Sequence, residues 1–321
     1  MHRWTDLTQT PPEMRGGVAT FGNFDGVHLG HRAVLAAVRE AAAAREVPAV
    51  AVTFEPHPVT VFHPERALEL IAPGPLRDEL IEQAGMDGLL VLDFTRELAD
   101  QSAEEFVERT FVDALGICAL VVGADTKGFG RGYTGDVTLL RQLGERHGFE
   151  VVVLDDVGEG GRWSSSQVRG LLTSGDIAGA AEVLGRPHRV VGTVVHGEHR
   201  GRELGYPTAN LSADSLGLVP ADGVYAGWLT RRDLPLEAPD RTLPAAVSVG
   251  LNPTFDDVVR RTVEAYVLDR DDLDLYGEQV SIEFITRVRD NERFESLEDL
   301  LAAIAGDVEQ CRRVLSTIVP G

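Results

Sequence analysis

The sequence predicts an α/β domain with a parallel sheet, followed by an antiparallel β sandwich or barrel that closes with a helix. Three observations predict this. Short β-branched runs alternate with amphipathic stretches through the first half; beyond Gly185-Arg186-Pro187 the runs are strand-like and broken by glycine and proline; the tail regains helical periodicity. A length of 321 residues suits two domains, and 43% hydrophobic with 25% charged residues is the composition of a chain that buries real cores.

The first strand is expected at residues 18–21 and the first helix at 33–45. In that helix Val34, Leu35, Val38, Ala41 and Ala42 share one side, with Arg32, Arg39, Glu40 and Arg45 around the rest. Strands follow at 49–54, 89–92, 119–123 and 151–154, with helices at 76–83 and 103–115 placed before strand-like runs. Alternating strands and helices give parallel strands with crossover helices on the sheet faces. The second half offers strands at 190–195, 223–229, 245–249, 262–268 and 279–285, a spacing that suits a sandwich or barrel. In the tail, Leu297, Leu300, Leu301, Ile304 and Val308 fall in helical register over 297–315. The boundary is placed at Arg186-Pro187, dividing the chain into domains 1–186 and 187–321.

Thirty Lys and Arg against 51 Asp and Glu leave a formal charge of −21. Such a surface repels nucleic acid and anionic membranes, so neither is an expected partner. No apolar run approaches the ~20 residues that span a bilayer, and the start, Met1 to Asp6, has no apolar core behind a basic segment. Two cysteines, Cys118 and Cys311, make no disulfide framework and point to a reducing, cytoplasmic setting. The composition leaves room for a homo-oligomer.

The most informative segment is Thr20-Phe21-Gly22-Asn23-Phe24-Asp25-Gly26-Val27-His28-Leu29-Gly30-His31, which leaves the first strand and opens the first helix. Its glycines let the backbone turn tightly and approach a ligand, and the helix start offers N–H groups and partial positive charge to a phosphate. His28 and His31, three apart, can face one side and donate to phosphate oxygens. No carboxylate or cysteine cluster completes a zinc site beside them. A second phosphate candidate is Trp163-Ser164-Ser165-Ser166-Gln167-Val168-Arg169, where hydroxyls precede a helix and a guanidinium follows within one turn. Serines also cap helices without binding anything.

In the second domain a glycine-rich stretch, Gly192 to Gly205, carries Gly197, Arg200 and Arg202 and leads into Tyr206-Pro207-Thr208-Ala209-Asn210. Alternate residues of an extended chain point the same way, so Thr208 and Asn210 can offer two neutral oxygens to one hard cation such as Mg²⁺. The same Pro-Thr pair also fits an ordinary turn into a strand. Glu264, among the apolar strand residues after Thr262 and Val263, is costly there unless employed or paired. No Gly-x-x-x-x-Gly-Lys-Ser/Thr is present, which excludes a P-loop kinase.

Together the amino-terminal motifs resemble the adenylyltransferases of the histidine-glycine-histidine superfamily. With Thr53-Phe54-Glu55-Pro56-His57-Pro58 they are similar to the FMN adenylyltransferase module of bacterial bifunctional riboflavin kinase/FAD synthetases. Pro-Thr-Ala-Asn, Gly250-Leu251-Asn252-Pro253-Thr254-Phe255, the strand around Glu264 and Asp274-Leu275-Tyr276-Gly277 resemble the riboflavin kinase module of that family. The resemblance implies a Rossmann-like nucleotidyltransferase domain followed by an antiparallel β-barrel kinase domain with a C-terminal helix. It implies ATP, riboflavin and FMN as substrates, with Mg²⁺. It carries nucleotide binding onto Gly22, Asn23, Phe24, Asp25, Gly26, Gly30, Asp125, Ser165 and Ser166, and charge stabilisation in transfer onto His28, His31 and Arg169. Phe54 and Phe62 become candidates for packing on the isoalloxazine, where unaided they read as core aromatics. In the kinase it carries nucleotide contacts onto Gly197, Arg200, Gly205 and Pro207, metal binding onto Thr208 and Asn210, and the catalytic base onto Glu264. The chain departs from the family after Val122-Gly123-Ala124-Asp125, where Thr126-Lys127-Gly128-Phe129-Gly130 lacks one aromatic and carries one extra residue. Two alternatives therefore stay open: a riboflavin kinase whose transferase domain is changed or inactive, and a flavin-binding regulatory protein without turnover.

Overall fold

The computed structural model describes residues 1–65, 68–155, 163–197, 204–252 and 260–320. By its internal contacts the chain divides into two units, Met1–Ser164 and Ser165–Gly321. The first unit runs β1 (His2–Trp4), β2 (Val18–Phe21), α1 (Leu29–Ala43), β3 (Ala49–Glu55), α2 (Pro58–Phe62), α3 (Gly74–Gln83), β4 (Gly88–Asp93), α4 (Arg96–Ala99) and α5 (Ala103–Val107). A π-helical turn (Glu108–Ala114) follows, then β5 (Ala119–Gly123), β6 (Lys127–Phe129), β7 (Gly135–Asp136), α6 (Val137–His147) and β8 (Glu150–Leu154). Among the described residues one parallel sheet has the order β1-β4-β3-β2-β5-β8, and β6 pairs with β7 antiparallel.

Both faces of this sheet are buried, as a doubly wound sheet requires. Ala19, Val50, Val52, Leu90, Leu92, Leu120 and Val122 pack with Phe106, Phe111, Leu115, Leu140 and Leu143. The alternate residues Val18, Ala51, Leu89 and Val121 are equally buried, and α1 covers β2, β3 and β5 through Leu35, Val38 and Ala42. Helix α1 begins four residues before the expected start because His28 caps it: its Nδ1 accepts the His31 N–H at 3.3 Å. The expected helix over 103–115 is α5 and the π-helical turn in succession.

The chain steps from β2 outward to β3 and β4, then crosses to β5 on the other side of β2. The loops after β2 and β5 therefore diverge at the carboxyl ends of the strands, the place where open α/β sheets hold ligands.

The second unit begins with α7 (Ser165–Ser174) and α8 (Ile177–Leu184) and continues with β9 (His188–Val195), β10 (Thr208–Leu211), β11 (Gly223–Arg231), β12 (Thr242–Asn252), β13 (Arg260–Val267), β14 (Gln279–Arg289) and α9 (Leu297–Leu315). Strands β10-β13-β12-β11-β14-β9 form a closed antiparallel barrel. Closure settles the choice between sandwich and barrel, and it depends on β10, a strand of four residues. Tyr225, Leu229, Val247, Ala265, Ile282 and Phe284 are buried. The opposite face, at Ala226, Ala246, Trp228 and Tyr266, packs against Val308, Cys311 and Leu315 of α9. The Arg289–Asp307 ion pair, at 2.7 Å, ties that helix to β14. Helices α7 and α8 belong to this unit: Ala221 N–H donates to the Leu172 carbonyl at 3.0 Å, and α8 packs on β9 and β14.

Two measurements follow from this packing. A fragment spanning residues 165–321 is expected to melt above one spanning 187–321, since the shorter piece loses the buried Ile177, Ala180, Val183 and Leu184; equal melting temperatures would detach the helices from the barrel's stability. The second concerns His188, at the start of β9 and 2% exposed. Burial holds its pKa down at about 4, opposed by the hydrogen bond from Nε2–H to the Leu218 carbonyl and reinforced by Arg186 and Arg189. The unfolded chain therefore binds the proton first as pH falls. The contribution is whole above pH ~6.5 and is lost between there and pH ~4, amounting to roughly 3 kcal/mol. Urea titrations of wild type and His188→Gln should differ in their pH slope across that window; parallel slopes would refute the assignment.

Candidate active sites

The loop between β2 and α1 is tightly curled. Phe24 (φ 50°), Gly26 (φ 81°) and Val27 (φ 41°) all adopt the left-handed region, which a β-branched valine rarely enters. The curl is held from inside. Asp25 is 3% exposed, and its carboxylate accepts the N–H groups of Ile71 (3.2 Å) and Ala72 (2.9 Å). Among the residues expected to contact nucleotide, Asp25 thus ties the loop to the segment that opens α3. Phe24 is buried, with its ring edge-on to His31 at 5.2 Å. Gly26 allows close approach, since a Cβ there would lie 3.0 Å from Ile71. Thr53 Oγ1 donates to the Asn23 carbonyl at 3.3 Å, and Gly22 N–H donates to the Val52 carbonyl at 3.0 Å.

His28 and His31 come together as expected from their spacing, their rings stacked at 3.7 Å and 19°. Gly30 makes room for the pair: a Cβ there would stand 3.2 Å from the His28 ring. Because His28 Nδ1 accepts the His31 N–H, the proton of a neutral His28 sits on Nε2.

Across the switch point, Asp125 lies just past β5, close enough to Gly123 that a Cβ there would meet Oδ1 at 2.7 Å. The departing loop is a built hairpin. Phe129 packs edge-on against Phe21 at 5.3 Å and Phe106 at 6.2 Å, and Gly130 presses so close to Ala103 that a Cβ would lie 2.4 Å from its nitrogen.

On the other side of β2, Phe54 and Phe62 meet through Phe94, with ring centroids at 5.5 and 5.8 Å. Phe62 is 42% exposed, unlike a core aromatic. Phe94 escaped the sequence reading because it stands outside any motif. Ser165 and Ser166 occupy the first turn of α7 and Arg169 the second.

In the barrel unit, Gly197, Gly205, Pro207, Thr208 and Asn210 line one cavity of about 430 Å³, together with Val194, Ala265 and the stretch from Arg270 to Tyr276. Arg200 lies outside the described residues, as does Pro253-Thr254-Phe255. The alternation of β10 buries Ala209 and Leu211 and leaves Thr208 and Asn210 on the other face. Asn210 Nδ2 donates to Thr208 Oγ1 and to its carbonyl, both at 3.3 Å, which leaves Oδ1 for another partner. Gly197 is required here, because a Cβ would stand 2.6 Å from Asn210 Nδ2. Glu264 is half-buried and lies in register with Asn210 on one neighbouring strand and Ser248 on the other. The cavity also has features the sequence reading did not single out. His196 packs on Tyr276 with centroids 3.9 Å apart. Arg270 is gripped by Asp272 and Asp240, whose hydrogen bonds push the guanidinium pKa up and hold both carboxylates down.

Among the described residues no group of three or more His, Cys, Asp or Glu could hold a metal ion. The pair Thr208 and Asn210 instead fits a hard cation that keeps most of its ligands from phosphate and water.

The sequence model of the FAD synthetase family matches residues 10–168, and that of riboflavin kinase matches residues 184–315. A bifunctional riboflavin kinase/FMN adenylyltransferase of Pseudomonas fluorescens is 40% identical over 308 residues, covering 94% of each chain. One from Escherichia coli strain K12 is 35% identical over 318 residues, covering 98% of this chain and 97% of its own. A crystal structure described as a macrolide-efflux protein from Streptococcus pneumoniae is similar at a TM-score of 0.85 with 30% identity, over 97% of this chain and 98% of that one. No helix among the described residues is long and apolar enough to cross a membrane. Matched along nearly its whole length, the chain belongs to the bifunctional riboflavin kinase/FMN adenylyltransferase family.

Proposed function

We propose that this enzyme makes FAD from riboflavin in two ATP-dependent steps, phosphorylation to FMN in the barrel unit and adenylylation of FMN at the parallel sheet. The observation that carries the reading is that one chain holds both constellations on built frames: the stacked histidines at the α1 start, and the Thr208–Asn210 pair, whose Asn210 lies in register with Glu264. The alternative of a degenerate transferase loses its motive, since the departing loop packs Phe129 into the aromatic cluster.

In the kinase step Glu264 takes the proton of the ribityl 5′-hydroxyl as that oxygen attacks the γ-phosphate of ATP and ADP leaves. Thr208 Oγ1 and Asn210 Oδ1 would hold Mg²⁺, which when bound offsets charge on the phosphate oxygens. Gly197 and Gly205 let the backbone come close to the nucleotide, beside Pro207, and Arg200 is assigned to its phosphates. In the transferase step the FMN phosphate attacks the α-phosphate of a second ATP and pyrophosphate leaves. No protein nucleophile is needed. His28 and His31 offset charge on the transferring group, a role the family resemblance extends to Ser165, Ser166 and Arg169. Gly22, Asn23, Phe24, Asp25, Gly26 and Gly30 shape the loop beneath it, Asp125 after β5 is assigned to the nucleotide, and Phe54 and Phe62 pack against the isoalloxazine. Mg²⁺ is the cation assigned to both steps. Free thiols at Cys118 and Cys311 support a cytoplasmic setting, and the charge of −21 speaks against nucleic acid as a partner.

Chromatography of products from riboflavin and MgATP is the direct test: FMN and FAD are expected, and FMN alone would reduce the chain to a kinase. Glu264→Gln should cut riboflavin phosphorylation by about 10² or more while FMN is still converted to FAD; kinase turnover within a fewfold of wild type removes Glu264 from its role. His28→Ala and His31→Ala should each depress FMN-to-FAD conversion far more than riboflavin phosphorylation. Their double variant need not be additive, since the rings stack and serve one group of phosphates. Equal loss of both activities would mark the pair as structural.

A further inference from the structure

Arg77 is 5% exposed and sits in the buried stripe of α3 with Gly74, Leu76, Leu80 and Ile81. A guanidinium in such a stripe is costly unless its donors are satisfied. Nη1 donates to the Phe54 carbonyl at 3.0 Å, Nη2 to Glu55 Oε2 at 3.2 Å, and Nη2 and Nε to Asp78 Oδ1 at 3.2 and 3.3 Å. Asp78 is held in turn by Arg3 Nε at 2.8 Å.

The Phe54 carbonyl explains why a charge is stationed there. Strand β2 ends at Phe21, in register with Val52, and the last carbonyl of β3 served from that side is Val52's, which takes the Gly22 N–H. Two residues on, the next carbonyl facing that way belongs to Phe54, where the β2 chain has already curled into the histidine loop. Arg77 supplies the missing donor, and its second arm fixes Glu55, whose carboxylate also lies 3.3 Å from the place a Cβ on Gly74 would take. The helix that carries Arg77 is anchored just upstream by Asp25, through Ile71 and Ala72.

We propose that Arg77 is a positioning residue of the transferase, setting the direction in which β3 delivers Phe54, and the turn to α2 and Phe62, to the flavin. This rests on the reading of Phe54 and Phe62 as the flavin-packing pair. A residue that shapes only the flavin side changes the affinity for FMN and leaves the ATP side alone, whereas a merely structural residue lowers everything together.

The test uses the full chain with Arg77→Met, Arg77→Lys and Phe54→Leu, each checked by thermal melt. KM for FMN and for ATP are measured in FMN-to-FAD conversion, beside riboflavin phosphorylation. Arg77→Met should raise KM for FMN on the order of tenfold, the scale of one lost charge-assisted hydrogen bond, with KM for ATP and kinase activity within about twofold of wild type. Arg77→Lys should fall between, because an ammonium reaches the carbonyl or the carboxylate but cannot fork across both. If the methionine variant does not fold, the lysine variant carries the same comparison. Equal rises in both KM values, or an unchanged KM for FMN beside a raised one in Phe54→Leu, overturns the proposal. An unchanged KM for FMN in Phe54→Leu overturns the flavin reading beneath it.

Discussion

Asp25 takes a carboxylate into the interior of the first unit and accepts two backbone N–H groups there, from Ile71 and Ala72. Burial of that charge is tolerable only because it is hydrogen-bonded, and each N–H it serves would cost about 1–3 kcal/mol if left buried and unpaired. The bond pair fixes the histidine loop in its left-handed curl, since Phe24, Gly26 and Val27 have no sheet ladder to hold them. It also fixes the start of α3, and through that helix Arg77 and the end of β3. Asp25 thus anchors both the loop that carries the histidines and the helix that carries Arg77.

The barrel solves its positioning problem differently. Closure leaves no free edge, so every strand has two registered neighbours. The pleat sends Val263, Ala265 and Val267 to the buried side and leaves Glu264 on the other, between Asn210 and Ser248. Farther along the same side, Tyr266 is covered by α9. A slip of one residue in β13 would put the carboxylate inside the barrel and an apolar side chain beside Asn210, so the hydrophobic interior itself enforces the face that carries Glu264.

Much of this was legible in the sequence because period and punctuation are local properties. The β-branched runs became strands with small errors at their ends, and two histidines at a strand-to-helix turn did meet. What was not legible depends on partners remote in the chain. Strand β1 has three residues, too few to show alternation, and exists because β4 offers it an edge. The four residues of β10 were quoted for their oxygens, yet they also close the barrel. Residues 165–186 read as the end of an α/β domain, yet α8 packs on β9 and β14, and β14 begins only at Gln279. The task of Asp25 was invisible because its partners are backbone N–H groups 46 and 47 residues away. Arg77 did leave a sign, a charge in the apolar stripe of a helix, and the sign only gains meaning once β2 is seen to stop short of β3.

The charge balance poses a question that the two sites answer by different means. A chain at −21 binds anionic nucleotides, and at physiological ionic strength a Debye length of about 8 Å screens its remote carboxylates. Groups in contact with a phosphate are not screened. In the first unit the proposed groups are the two imidazoles and the N–H groups of a helix start, which bring positive potential. In the second, Asp271, Asp272 and Asp274 line the cavity, and Arg270 is already committed to Asp240 and Asp272. Such a rim disfavours a bare triphosphate and accepts one whose charge is offset by a divalent cation, which is what two neutral oxygens on Thr208 and Asn210 are suited to receive. The acidity of the chain and the neutrality of the Thr208–Asn210 pair proposed to hold the cation are therefore complementary: the nucleotide brings the negative charge that the cation needs, and a carboxylate in place of either oxygen would add to a rim that already repels it.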